Sequence, residues 1–123
     1  MNRGLDNAKK KYGLCNTLAE VELESSNINE AVFWWAQAVH CQQSLTGYSS
    51  DVWPYLYLHY IADSMGLADI AKAFISRVDQ MRAGQIRLDP PAANNLRNLA
   101  RKGKTPDIEK VLKELGSKYL AQE

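Results

Sequence analysis

Residues that end and start helices recur along this chain at five places: Ser25-Ser26-Asn27, Thr46 to Ser50, Gly66, Gly84 to Pro90, and Gly103 to Pro106. Between these marks the apolar residues return every three or four positions, the period of a helix with one buried side, and no stretch shows the alternation of a half-buried strand. Glycine tolerates the left-handed backbone that closes a helix, and proline is harmless in a first turn, whose amides lack intrahelical acceptors. The pattern predicts an all-α chain of about six helices.

Helix 1 is expected over about 5–25, with Leu5, Ala8, Tyr12, Cys15, Leu18, Ala19 and Leu23 along one side. Asn27 is placed to cap helix 2, about 28–44, with Glu30 reaching back to the cap's amide. Ile28, Ala31, Val32, Trp34, Trp35, Ala38, Val39 and Cys41 cover more than one stripe of that helix, which suits a central position. Ser50 or Asp51 caps helix 3, with Pro54 in its first turn and Gly66 at its end; helix 4 runs over about 67–83 and Gly84 terminates it. Asp89-Pro90 opens helix 5, Gly103 ends it, and Thr105-Pro106 opens helix 6, where Asp107 and Glu109 suit the positive end of the helix dipole. Short links imply antiparallel neighbours, so the chain reads as one domain, 1–123, of helix pairs at about 5–44, 51–83 and 90–121.

A chain of 123 residues with 46% hydrophobic and 24% charged residues can bury a core without disulfides, so Cys15 and Cys41 read as reduced core thiols. No segment is long and apolar enough to span a bilayer, and the charged start, Arg3 to Lys11, lacks the apolar stretch of a secretory signal, so a soluble cytoplasmic protein is expected. Charge is uneven: residues 1–71 hold 4 Lys/Arg against 8 Asp/Glu, and residues 72–123 hold 11 against 6. The acidic half would suit a polar or basic ligand.

Ser26-Asn27-Ile28-Asn29-Glu30-Ala31 followed by Trp35, Ala38 and Val39, with Leu18 and Ala19 upstream, resembles a tetratricopeptide (TPR) repeat. A weaker copy follows about forty residues on, at Tyr55, Leu58, Gly66, Ala71, Ile75 and Val78, with His59 in the small-residue place of its first helix. In such repeats small residues let paired helices approach, and each pair leaves an apolar face that must be stacked upon. The resemblance implies stacked αα-hairpins in a superhelix whose first helices line a groove. It would point Trp53, Leu56 and Tyr60 into that groove from helix 3, and Asn16 and Glu20 from helix 1. The competing reading packs the aromatics of helix 3 against helices 2 and 4.

No phosphate-cradling glycine loop, metalloprotease helix or nucleophile elbow occurs, so no enzyme and no cofactor are expected. Cys15, His40, Cys41 and His59 lack paired-ligand spacing and read as core or half-exposed residues rather than a metal site. His59 and Asp63, four apart, are expected to share a helix-surface hydrogen bond. The sequence therefore points to a scaffold or adaptor that binds a protein or peptide through Trp53, Leu56, Tyr60, Asn16 and Glu20. Two alternatives stand beside it: nucleic-acid association through the basic end of helix 5, Arg97, Arg101, Lys102 and Lys104, and a self-associating accessory subunit. The former is disfavoured because no aromatic lies between those cations to stack bases.

Overall fold

The computed structural model describes residues 3–43, 52–81, 86–103 and 106–120, with side chains at 13–39, 52–80, 86–103 and 106–116. Six helices account for nearly all of them: α1 (Arg3–Glu24), α2 (Ile28–Gln43), α3 (Trp53–Ser64), α4 (Ala68–Met81), α5 (Pro90–Lys102) and α6 (Pro106–Leu120). No strand occurs among the described residues, and none of the helices is long and apolar enough to cross a membrane. The expected caps Ser50, Asp51 and Thr105 and the terminator Gly84 lie outside the described residues. The residue flanking α3 is Val52, with helical backbone angles and no side-chain cap.

The two turns that join α1 to α2 and α3 to α4 are built alike, forty residues apart. After α1, the amide of Ser26 donates to the Leu23 carbonyl and that of Asn27 to the Glu22 carbonyl; after α3, Gly66 donates to Asp63 and Leu67 to Ala62. This double bond pattern satisfies carbonyls that a helix end leaves open, and it demands a left-handed residue at its pivot. Gly66 supplies it at φ +77°, but the first turn uses Ser26 at φ +62°. A β-carbon is disfavoured there, so Ser26→Gly should raise the unfolding free energy by a few tenths to about 1 kcal/mol. A β-carbon on Gly66 would meet nothing within 4 Å, so Gly66→Ala should cost about 1 kcal/mol through backbone strain alone. Paired urea titrations with changes of opposite sign would confirm both.

α1 packs along α2 and α3 along α4, and α2 and α3 join the two pairs. The expected third pair does not form. α5 lies on α3, while α6 lies against α4 and α2, and α5 and α6 make no extended contact with each other. The reason is in their stripes: Ala93, Leu96 and Ala100 of α5 and Ile108, Leu112 and Leu115 of α6 all enter the common core, so each helix spends its apolar side on an earlier element. Glycine makes both approaches close. A β-carbon on Gly103, whose amide caps α5 on the Leu99 carbonyl, would run into the Ile28 side chain at the start of α2. One on Gly116 of α6 would stand 2.7 Å from Cγ2 of Ile70 on α4.

Trp35 is the hub of the core. It is fully buried, stacks on Tyr57 of α3 at 4.7 Å between ring centres, and donates its indole N–H to Oδ1 of Asn16 on α1 at 3.3 Å. One α2 side chain thus ties α1 to α3, burying a large aromatic face while its polar edge keeps a partner. α2 is central, as its apolar coverage of more than one stripe predicts, and contacts α1, α3 and α6.

Candidate interaction groove

The first turns of α2 and α6 lie side by side and enclose a groove of about 520 Å³ lined by Asn29, Glu30, Val32, Phe33, Asp107, Ile108 and Val111. Pro106 starts α6 with a fixed backbone angle, and Asp107 follows where the positive end of the helix favours a carboxylate; Glu30 takes the same place in α2. Val32 and Ile108 are buried and form an apolar floor, while Glu30 and Asp107 are exposed at its rim. Phe33 is 48% exposed beside them, its ring edge-on to Trp34 at 5.2 Å. Neither rim carboxylate enters an ion pair among the described residues, where Arg87 pairs with Asp79 at 3.0 Å and Arg97 with Asp63 at 3.5 Å. Residues 12–71 contain no Lys or Arg and seven Asp/Glu, so Glu30 has no cation near it in sequence, whereas Asp107 has Lys104 and Lys110 three positions to either side.

The residues expected to line a groove between helices 1 and 3 are placed otherwise. Leu56 is fully buried and Tyr60 is 5% exposed, both within the core cluster, so neither is available as a groove anchor. α1 makes no extended contact with α3, and Trp35 occupies the space between Asn16 and Tyr57. Asn16 serves as acceptor for that indole, and Glu20 is half-buried on α1 with polar or charged interactions of its own. Of the expected anchors only Trp53 is exposed, at 39%, tilted against Tyr57 at 6.2 Å.

Tyr60 instead docks the second half of the chain. Its hydroxyl accepts from the Leu88 amide at 3.2 Å, and the Arg97 guanidinium lies over its ring at 5.0 Å while pairing with Asp63. Arg97 is thereby taken out of the expected basic patch: it fastens α5 to α3. Arg101 and Lys102 are exposed at the end of α5, where the helix dipole favours cations, and Lys104 lies outside the described residues.

No family model, curated protein or solved structure matches the chain.

His59 does not bond to Asp63. Its Nδ1 lies 2.7 Å from the Ala71 carbonyl of α4, because α3 and α4 pack closely there, and its ring stands edge-on to Tyr60 at 4.9 Å. Burial lowers its pKa below 6.5; the Ala71 hydrogen bond and the Asp63 charge oppose that, and Arg87 and Arg97 add to it. A base with its folded pKa depressed leaves the unfolded state holding more protons in the window just below the unfolded value. Its contribution is thus intact above about pH 6.5 and is lost as pH falls from there through the folded pKa. The urea midpoint should drop between about pH 7.5 and 5.5, and less so in His59→Asn. The side chains of His40 and Cys41 lie outside those described, and no three His, Cys, Asp or Glu side chains among the described residues cluster to hold a metal.

Proposed function

We propose that the chain is a non-catalytic protein-binding module, a scaffold or adaptor, that takes a partner segment in the groove between α2 and α6. The observation that carries this reading is Phe33, a large aromatic left half in solvent at the edge of an apolar-floored groove. A rigid aromatic costs little side-chain entropy to immobilise, which is why such residues dominate binding energy. The rim acids Glu30 and Asp107, which enter no ion pair among the described residues, favour a partner segment that sets a Lys or Arg next to an apolar side chain. A helix or extended peptide of that composition fills a groove of this kind.

The forty-residue recurrence of the α1–α2 and α3–α4 turns supports reading the two pairs as stacked αα-hairpins of TPR-like type, with α5 and α6 sealing them instead of adding a third. The buried Cys15 suits a reducing compartment such as the cytoplasm.

Selection of displayed random peptides on the immobilised protein tests the reading. Enriched peptides should carry Lys or Arg beside an apolar residue and lose at least about tenfold in affinity for Phe33→Asp and several-fold for Glu30→Lys, with helical circular dichroism unchanged. Binders indifferent to Phe33→Asp would place recognition elsewhere and sink the assignment.

A further inference from the structure

α1 has one extended contact, with α2. Its far side carries Leu14 and Val21, 59% and 51% exposed. The two are seven positions apart and so lie on one stripe, with Leu18 half-buried between them and Thr17 and Glu24 exposed beside it. Neither apolar residue contributes to the core, and their exposure costs solubility without a return inside the monomer.

The charges of the same helix are also segregated along its length. Arg3, Lys9, Lys10 and Lys11 stand in its N-terminal half with Asp6, and Glu20, Glu22 and Glu24 in its C-terminal half, with no basic residue in the last turn. Cations near a helix N-terminus and anions near its C-terminus are each unfavourable to the dipole. An antiparallel neighbour of the same sequence brings the cationic segment 9–11 of one helix towards the glutamates at 20–24 of the other and opposes the two dipoles.

We propose that α1 pairs antiparallel with α1 of a second copy, about a two-fold axis between residues 17 and 18. In that register Leu14 of each copy meets the partner's Val21, and the segment holding Lys11 runs beside the partner's Glu24. The contact is isologous, so one patch closes the dimer and no filament grows. A parallel pairing would set like charges together at both ends. In this register residues 11–24 of the two helices overlap, roughly 21 Å of helix, which is small for a stable interface, so the dimer is a weak one with a dissociation constant in the micromolar range. This face is separate from the α2–α6 groove, and the inference does not depend on the binding function proposed for that groove.

Sedimentation velocity over about 1–200 μM, at low salt, gives the test. The wild type should pass reversibly from monomer to dimer, and Leu14→Glu/Val21→Glu should stay monomeric with its helical spectrum intact. Glu24→Lys should weaken association at least about tenfold, and adding Lys11→Glu to the same chain should restore it to within about threefold. A wild type that remains monomeric throughout would overturn the proposal and leave this face to a different protein. Dimerisation of the Leu14→Glu/Val21→Glu variant would equally overturn it, by placing the interface elsewhere, and failure of Lys11→Glu to rescue Glu24→Lys would overturn the antiparallel register.

Discussion

Trp35→Ala should lower the unfolding free energy by about 3–5 kcal/mol, a large share of the total for a domain of this size. The side chain is fully buried, so its loss leaves a cavity that helices on two sides cannot both close. It removes the stacked contact with Tyr57 and strips Asn16 of its indole donor, so α1 loses a tether to the rest of the molecule. Trp35→Phe keeps an aromatic ring against Tyr57 but gives up the N–H and part of the volume, and should cost about 1–3 kcal/mol. Equilibrium urea unfolding measures both. A loss below about 1 kcal/mol for the alanine variant would show that Trp35 is not the hub.

Tyr60→Ala should cost about 3–4 kcal/mol, and amide exchange should show that the loss falls first on the segment 86–102. The phenol ring is core packing for α3, its hydroxyl accepts from the Leu88 amide, and its face carries Arg97. Tyr60→Phe separates these contributions: the ring and the cation contact remain, the Leu88 amide loses its acceptor, and the cost falls to about 1–2 kcal/mol. Had Tyr60 been a groove anchor, both variants would keep wild-type stability and lose only partner binding. The practical consequence is that Tyr60 substitutions report on α5 docking, so Phe33 and Glu30 are the positions at which binding should be probed.

The candidate groove was only partly legible in the sequence. Phe33 falls within the run Val32-Phe33-Trp34-Trp35, where apolar residues face every direction and the run as a whole reads as core. A finer signal was present: Phe33 shares a helix stripe with the polar residues Asn29 and Gln37, four positions to either side, so it is an aromatic on the wet face. Leu14 and Val21 likewise fall off the stripe of Cys15 and Ala19 that packs α1. Asp107 and Glu30 were legible as first-turn acids, but that they border one groove depends on where α6 comes to rest.

What the sequence determined by itself is the set of helices and their ends. Those depend on contacts within a few residues: the proline at position 90 or 106, the left-handed pivot at Gly66, the apolar return every three or four positions. Tertiary structure alone decided the partners. Leu56 and Tyr60 belong to the core because α5 and the segment before it close over α3, and α5 and α6 part because each finds more apolar surface on an earlier helix than on the other. Burial is a property of the whole assembly, set by which stripe covers which. Two stripes of similar hydrophobicity carry no local mark that says which will be covered and which will be left for a partner.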